Sequence, residues 1–444
     1  MATEVKKTEK SWKEMTPDEK LQKRIDAWLA EPINFVSAQA EADYKARINR
    51  FLDAVTLRKI PDRVPVMPGL GAFAQHYYGY TQKDMMYDPD KANEVSMKAT
   101  LEFQIDVQIT VGDRVGLVMD ILDNKNNRWP GHGVPDDGET QFLEAENLKA
   151  DEYDAFMRDP TDFGWRVITP RTTGALEPFA KLSAASHRGP NVADFGRPEI
   201  QAAFMKLMEA GKAQVAFQQK TAAGARKLKE LGYPVTEGST TGAPFDSIGD
   251  SLRGTVGIVE DMFKRPEKLL EALEWFTSRN IERGLAGARM GNAPVVAFHL
   301  HKGSDTYMSD EQFRTFYWPS LRKVMLGLIN EGLIVSGGNQ GFHNKRLEYY
   351  RDVPKGKVFW SVGYGTDIAR AKEVLGGVSC IRGGITADIL HHGTPEEVEG
   401  HVRHVMDIAK KGGGYIFSTS NMDSHAKVEN VKAMIASAKK YGVY

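Results

Sequence analysis

Short apolar runs alternate with amphipathic stretches along most of this chain. From residue 63 onward, eight runs have the length and composition of buried strands: 63–68, 106–112, 233–240, 294–300, 332–336, 357–361, 377–382 and 413–418. In the second half, the runs are separated by helical patterns near 309–331, 343–350, 366–375, 394–411 and 427–440. Because parallel strands need long crossover connections, this order predicts an α/β fold built as a single (β/α)8 barrel of the TIM type.

A doubly wound open sheet is the alternative for the same alternation of strands and helices. Such a sheet often carries a glycine-rich dinucleotide loop or a P-loop after an early strand. Neither motif occurs in this chain, so the barrel is the preferred architecture.

Residues 1–60 are predicted to form an N-terminal helical extension, and residues 61–444 the barrel. The stretch "TPDEKLQKRIDAWLA" predicts a helix, with Thr16 as its cap and Glu19 completing a capping box. The stretch "AQAEADYKARINRFLDAV" predicts a second helix. Within the barrel, 123–150 is rich in turn residues, which predicts an inserted loop or hairpin.

Composition and charge narrow the classes of function. The 444 residues include 58 Lys plus Arg and 59 Asp plus Glu, a balance that argues against binding to nucleic acid or to a membrane surface. The only cysteine is Cys380, so neither an internal disulfide nor a cysteine-rich zinc site can form. The charged N-terminus lacks the apolar core of a signal peptide, and no apolar run is long enough to span a bilayer, so a cytoplasmic location is expected.

The stretch "VVAFHLHKGSD" (295–305) carries the densest group of candidate catalytic residues. In a TIM barrel, functional side chains lie at the carboxyl ends of the strands and in the loops that follow. His299 and His301 are two residues apart on a predicted strand and would face the same side, with Lys302 next to them. Together with Asp305, the two histidines are candidate ligands for zinc. The alternative is a polar barrel mouth whose histidines bind the backbone or a substrate.

Later strand ends offer candidates for substrate binding. Asn339 and His343 follow one predicted strand in "SGGNQGFHN", where a tight turn into a helix is the alternative. Arg382 ends another strand, and its guanidinium suits a carboxylate or phosphate, with a structural ion pair as the alternative. Asn421 lies in the loop after the last predicted strand.

The first part of the chain adds four more candidates. Asp120 lies among apolar neighbours in "VMDIL", and a buried carboxylate needs a partner, which a ligand can supply. The turn-rich stretch "RWPGHGVPDD" is a candidate lid in which Trp129 and His132 are available for stacking or polar contacts. His76 begins "HYYGY", whose aromatic area can line a pocket. Ordinary turn chemistry and core packing are the alternatives for the last three.

Six stretches resemble the uroporphyrinogen decarboxylase superfamily, which also contains the corrinoid-dependent methyltransferases. They run from about residue 60 to the C-terminus: "IPDRVPVMP", "VMDIL", "GAPFDSIGDSLRG", "MSDEQFRTFYWPSL", "DILHHGTPEEVEGHVRHVMDIAKKGGGYIFST" and "KVENVKAMIASAKKYG". The resemblance implies a single (β/α)8 barrel, in agreement with the strand pattern.

The residues at the functional positions of the decarboxylases are mostly different here. The family aspartate that contacts the pyrrole nitrogens matches Asp120, whereas the family tyrosine falls on Asp250 and the final-strand histidine falls near Asn421. The Phe-Asp-Ser motif falls on 298–300, so its serine is lost, and "MPGLGAF" offers none of the arginines that bind the tetrapyrrole carboxylates. The resemblance therefore implies a substrate other than uroporphyrinogen, with Asp250 as a further substrate-binding candidate.

The zinc-dependent methyltransferases of the superfamily use a His-x-Cys pair and a later cysteine. These positions fall on Val335, Gly337 and about Ser420, so the family's zinc site is absent. Only a displaced site built on His299 and His301 remains as a candidate for zinc.

The resemblance and the strand ends together predict a methyltransferase. It would move a methyl group from a small methylated substrate, for example a methoxylated one, to a corrinoid on a partner protein. The candidate catalytic residues are His299, His301, Lys302 and Asp120, with zinc as a candidate cofactor. The alternatives are a decarboxylase or lyase acting on a small carboxylic acid or a tetrapyrrole-like substrate, and a non-catalytic ligand-binding barrel. A homodimer is expected from the family alone.

Overall fold

The computed structural model describes residues 10–112, 114–187, 189–363, 365–419 and 424–444. Its central feature is a sheet of six parallel strands, each hydrogen-bonded to the next along the chain, and a small three-stranded sheet precedes it. In chain order the strands are β1 (Asn127–Pro130), β2 (Gly133–Val134), β3 (Gln141–Phe142), β4 (Ser239–Thr241), β5 (Val295–Leu300), β6 (Ile334–Asn339), β7 (Val358–Ser361), β8 (Cys380–Ile385) and β9 (Tyr415–Thr419). Strands β4 to β9 form the large sheet.

Helices connect and cover the strands of the large sheet. In chain order they are α1 (Pro17–Leu29), α2 (Ala38–Thr56), α3 (Gly71–Tyr77), α4 (Gln82–Tyr87), α5 (Pro89–Phe103), α6 (Gly116–Leu122), α7 (Tyr153–Arg158), α8 (Pro160–Phe163), α9 (Thr169–Thr172), α10 (Pro198–Glu230), α11 (Pro244–Ser251), α12 (Gly254–Lys264), α13 (Pro266–Met290), α14 (Asp310–Gln312), α15 (Trp318–Asn330), α16 (Leu347–Tyr350), α17 (Ile368–Leu375), α18 (Ala387–His392), α19 (Pro395–Ala409) and α20 (Val428–Tyr441). Short 3₁₀ helices span Trp12–Glu14, Gly174–Lys181 and Val192–Gly196, and π-helical turns span Gly164–Ile168 and Phe313–Tyr317. In the part of the chain that the structure describes, no helix is both long and apolar enough to cross a membrane.

The strand pattern of the sequence is confirmed for five strands and fails for two. The last five predicted strands are present as β5 to β9, and the run at 233–240 forms only the short β4 at its end. The runs at 63–68 and 106–112 form no strand, so these two predictions are wrong. Pro65 and Pro68 lack the N–H group that a strand ladder needs, which explains the first failure.

Isolated backbone hydrogen bonds, two from the first run and one from the second, nevertheless hold these two runs beside the large sheet. The Met67 N–H donates to the carbonyl of Phe417 in β9 at 2.8 Å. The Gln108 N–H donates to the carbonyl of Pro234, shortly before β4, at 3.2 Å. The α/β fold is therefore consistent with a TIM-like barrel, although regular strand pairing is limited to six strands of the large sheet.

The carboxylate of Asp106 ties the two irregular runs to helix α2. It accepts hydrogen bonds at 2.7 Å from the Arg63 guanidinium and from the Val66 N–H. Arg50 of α2 donates to it from another side at 2.7 Å. Only 1% of the Asp106 side chain is exposed, so a buried charge cluster joins these runs where ladder hydrogen bonds are absent.

Helices α1 and α2 cover the amino ends of the strands. Trp28 and Phe51 belong to one apolar cluster together with the first or second residue of five strands: Val295, Ile334, Phe359, Cys380 and Ile416. The Phe51 ring meets the Phe359 ring edge-on, with 5.7 Å between the ring centroids. The carboxyl ends of the strands point away from these helices and are left to form a site.

Candidate functional site

A cavity of ≈ 370 Å³ lies at the carboxyl ends of the large sheet. Its polar lining comes from five consecutive strands: His299, Asn339, Ser361, Arg382, Ser418 and Thr419. Five of these residues are the last or the next-to-last residue of their strand, and Arg382 lies three residues before the end of β8. A parallel α/β sheet places its binding sites at this edge. The structure thus brings together three of the predicted site residues, His299, Asn339 and Arg382.

A second cavity of ≈ 240 Å³ adjoins the first one. The two cavities share Met67, Gly69 and Arg382 in their linings. The second cavity is lined by residues 107–110, which belong to one of the two runs without a regular strand, and by residues 234–237, which precede β4. Arg382 therefore lies where the two spaces meet.

Arg382 is paired with a carboxylate of the protein itself. Its Nη1 donates to Glu237 Oε1 at 3.1 Å, and its Nε donates to Ser361 Oγ at 2.8 Å. Glu237 Oε1 also accepts a hydrogen bond from Ser336 Oγ at 3.0 Å. The structural ion pair that the sequence left as an alternative for Arg382 is therefore present in the structure.

Sequence reasoning missed Glu237, which lines the second cavity. The residue lies inside the apolar run 233–240, which was interpreted as a strand over its whole length. Regular strand structure begins only at Ser239, so Glu237 belongs to the segment before β4. A carboxylate within an apolar run needs a partner, and this signal could have identified Glu237 as it did Asp120.

The side-chain oxygen of Asn339 has no partner among the residues that the structure describes. The residue is 6% exposed, and its Oδ1 accepts no hydrogen bond within the described part of the chain. Leaving such a group unpaired costs about 1–3 kcal/mol, so a hydrogen-bond donor from a ligand or a water molecule is needed there. His299 lies on the adjacent strand, where it pairs in register with Gly338, and its side chain is exposed.

The loop that follows β5 is fixed by the buried carboxylate of Asp246 in α11. Asp246 accepts hydrogen bonds from the N–H groups of His301 at 3.1 Å and Lys302 at 3.0 Å. The hydroxyl of Tyr317 also donates to it, at 2.7 Å. Burial, and then the charge of Asp250, raise the pKa of Asp246 to about 6. These three bonds set the direction of the chain where β5 ends.

Asp250 links two predicted catalytic residues in an ion cluster. Its carboxylate lies 2.7 Å from His301 Nδ1 and 3.0 Å from Lys302 Nζ, and Lys302 also donates to Thr255 Oγ1 at 3.0 Å. The hydrogen bond and charge of Asp250 raise the pKa of His301 despite partial burial. Burial alone would raise the pKa of Asp250, but His301 and Lys302 outweigh it, and the pKa is lowered. Asp250, predicted as a substrate contact, thus neutralises neighbouring cations.

Replacing Asp250 with asparagine is expected to lower the pKa of His301, because the hydrogen bond to a charged carboxylate is lost. In the wild type, the ion pair stabilises the folded state only while Asp250 is ionised and His301 is protonated. This pH window begins near the unfolded-state pKa of aspartate, about 4, and ends as the pH rises through the raised pKa of His301. NMR titration of the protein with isotope-labelled histidine measures this pKa directly. Asp352→Asn, which changes an exposed carboxylate beside Arg322, should leave the titration of His301 unchanged. An unchanged titration in Asp250→Asn would contradict the pairing.

The three predicted metal ligands do not converge. His299 lines the cavity, His301 belongs to the ion cluster, and Asp305 accepts a hydrogen bond from the Lys345 N–H at 3.0 Å and lies 3.4 Å from Arg346. His301 follows the last residue of β5, so the alternation that would align it with His299 ends before it. Among the residues described, no group of three His, Cys, Asp or Glu side chains is arranged to hold a metal ion. The donor set therefore does not fit zinc.

Asp120, Trp129 and His132 lie together, but around the small sheet. Asp120 Oδ1 accepts from the Tyr87 hydroxyl at 2.9 Å and lies 2.9 Å from His132 Nε2, and the Trp129 ring stacks on His132 at 4.2 Å. Asp120 is exposed, whereas its apolar neighbours in the sequence suggested a buried carboxylate. Trp129 is buried. The described lining of the two cavities does not include them, because Asp120 lies on α6 instead of at a strand end.

Two further predicted contacts, His343 and His76, are not part of the described lining of either cavity. His343 is 1% exposed, its Nδ1 accepts from the Tyr350 hydroxyl at 2.7 Å, and its Nε2 donates to the Gln340 carbonyl at 2.8 Å. Burial lowers the pKa of His343, and both ring nitrogens already bind groups of the protein. His76 is exposed near the end of α3. Asn421 lies outside the described residues.

The fold and the site define an α/β protein with a cavity at the carboxyl ends of a parallel sheet. The family model for uroporphyrinogen decarboxylase (URO-D) matches residues 180–441, which is more than half of the chain. The chain therefore belongs to the uroporphyrinogen decarboxylase family. The resemblance based on six short stretches is confirmed.

Solved structures share this architecture. A methyltransferase from Methanosarcina mazei is 16% identical in sequence and has a TM-score of 0.58, and the match covers 88% of this chain and 98% of that chain. At this level of identity, the similarity establishes the fold. No curated protein matches the chain in sequence.

Proposed function

We propose that this protein transfers a methyl group from a small methylated substrate to a corrinoid carried by a partner protein. The observation that carries the proposal is the cavity at the strand ends, where the exposed imidazole of His299 lies on the strand next to the unsatisfied amide of Asn339. The superfamily resemblance and the similar fold of a methyltransferase from Methanosarcina mazei support the same class of reaction.

Breaking a bond between a methyl carbon and an oxygen leaves negative charge on the oxygen, and a proton must reach it. His299 is the group that gives this proton, since its side chain lines the cavity and its imidazole ring can donate a proton through a ring nitrogen. The corrinoid supplies the nucleophile that takes up the methyl group. Asn339 holds the substrate through its amide, and Asp246 keeps the end of β5 in place by binding the following loop.

Replacing His299 with alanine is expected to lower kcat for demethylation by about 100-fold, the contribution of one well-placed acid. The assay incubates the purified protein with methoxylated aromatic compounds and reduced cobalamin, and measures the phenol that is released. Omission of the cobalamin should abolish the release of phenol, because the methyl group then has no acceptor.

The exposed His404 of α19 provides a matched control for this experiment. His404→Ala removes an imidazole that does not belong to the described lining of either cavity and should leave kcat unchanged. Equal kcat values in wild type and His299→Ala would contradict the role given to His299. Absence of turnover with every methoxylated compound would contradict the reaction itself and favour a ligand-binding barrel.

A carboxy-lyase is the second candidate, because the family is described by a decarboxylase. Such an enzyme needs a cation to hold the carboxylate of its substrate, and Arg382 and Lys302 were the predicted cations. Both are already paired, with Glu237 and Asp250 respectively. Release of carbon dioxide from a carboxylated compound without any methyl acceptor would establish the lyase and overturn methyl transfer.

A further inference from the structure

The charges that surround the two cavities indicate the chemical class of the substrate. Apart from the His299 imidazole, the charged side chains in their described linings are Arg382 and Glu237. The two lie 3.1 Å apart and are mostly shielded from solvent, with 22% and 36% of their side chains exposed. Serine hydroxyls complete the pair, since Ser361 accepts from the guanidinium and Ser336 donates to the carboxylate. The Arg382–Glu237 pair itself therefore carries no net charge.

Another cation near the strand ends, Lys302, is neutralised in the same way. Lys302 lies 3.0 Å from Asp250 and donates to Thr255 at 3.0 Å, and only 12% of its side chain is exposed. A carboxylate or phosphate that leaves water needs an unpaired cation to offset its lost hydration. Neither Arg382 nor Lys302 offers such a charge unless a protein carboxylate first gives it up.

Neutral polar groups, in contrast, are available in the first cavity. Asn339 has a buried amide oxygen without a partner among the residues described, and this oxygen can accept a hydrogen bond from a hydroxyl group. A volume of ≈ 370 Å³ is at the lower end of the range for ligand sites and accommodates a single aromatic ring with its substituents. We propose that the substrate is an uncharged, oxygen-bearing molecule such as a methoxylated phenol or alcohol, and that the Glu237–Arg382 pair excludes carboxylates. This inference depends on the proposed function in one respect only, namely that the substrate carries a methyl group.

Two aromatic probes that share the 2-methoxy group and differ in charge test the proposal. Isothermal titration calorimetry compares 2-methoxyphenol, which is neutral, with 2-methoxybenzoate, which is an anion at neutral pH. The wild type should bind the neutral probe, or its neutral relatives 1,2-dimethoxybenzene and 2-methoxyethanol, at least about tenfold more tightly than the anion, which corresponds to one charge-assisted contact.

Glu237→Gln is the decisive variant, because it keeps the hydrogen-bonding shape and frees the charge of Arg382. It should raise the affinity for 2-methoxybenzoate about tenfold and leave the affinity for the neutral probes within about twofold. Arg382→Gln provides the reverse change and should weaken binding of the anion further. Glu348→Gln, which changes an exposed ion pair with Arg370, is the matched control and should alter neither affinity.

Three results would overturn the proposal: equal or tighter binding of 2-methoxybenzoate by the wild type, no gain of anion affinity in Glu237→Gln, or no binding of any neutral probe. Calorimetry does not depend on methyl transfer, so the two proposals fail separately. Binding of neutral probes without demethylation would refute the reaction and keep the charge preference. Demethylation of an anionic probe in preference to a neutral one would refute the charge preference and keep the proposed reaction.

Discussion

Replacing Asp106 with alanine is expected to lower the free energy of unfolding by about 3–5 kcal/mol, the usual effect of removing one partner from a buried ion cluster. The carboxylate is 1% exposed and binds Arg50 and Arg63, so its loss leaves two partly buried guanidinium groups without this partner. It also removes the acceptor for the Val66 N–H, in a run that has no strand ladder. Urea unfolding at neutral pH measures the change.

Asp62→Ala is the control for Asp106, since Asp62 binds the same Arg50 from the solvent side. Its carboxylate lies 2.6 Å from the guanidinium, but 64% of its side chain is exposed. An exposed pair contributes at most about 1 kcal/mol, so this variant should lose little stability. If both variants lost the same small amount, the buried cluster would not be what joins the irregular runs to α2.

Replacing Asp246 with asparagine is expected to change stability in a way that depends on pH. Burial raises the pKa of Asp246 to about 6 from the ordinary value of 3.8, so between these values the native state binds more protons than the unfolded state. The wild type therefore loses stability as the pH rises through this interval, by up to about 3 kcal/mol from this carboxyl. Because asparagine does not titrate, the free energy of unfolding of the variant does not decrease in this way as the pH rises.

Near pH 4, Asp246→Asn should be less stable than the wild type by about 2 kcal/mol. The reason is that both oxygens of the protonated carboxyl can still accept a backbone N–H at this pH, whereas the amide NH₂ cannot. Near pH 7 this gap should close or reverse. Urea unfolding at both pH values measures it, with the exposed Asp352→Asn as the control whose difference from wild type stays nearly constant. The same gap for Asp246→Asn at both values would show that burial does not raise the pKa of this carboxyl.

The candidate site was partly predictable, because its position follows from chain direction. Parallel strands all end at one edge of a sheet, so a polar residue at the end of each run can be assigned to that edge without knowledge of packing. His299, Asn339 and Arg382 were found in this way, and all three line the cavity. Alternation along a strand was less dependable: β5 ends at Leu300, so the argument that paired His301 with His299 did not apply.

Partners across the fold could not be predicted in the same way. Nothing in the sequence links Arg382 to Glu237, which is 145 positions away, and yet this contact changes Arg382 from a candidate anion site into half of a neutral pair. Asp250 does the same for Lys302. Such contacts depend on which elements pack together, and hydrophobic periodicity determines the faces of elements but not their neighbours.

The sequence by itself determined the α/β class, the family, five strands of the large sheet and the edge at which a site forms. These features depend on local periodicity, on chain direction and on short motifs, and each of these signals comes from residues that are close together in the sequence. Only the tertiary structure decided that the runs at 63–68 and 106–112 stay irregular, that the predicted zinc ligands diverge, and that the cations at the strand ends are neutralised. These outcomes depend on hydrogen bonds and charges between residues distant in sequence, whose energies exist only after the chain has folded.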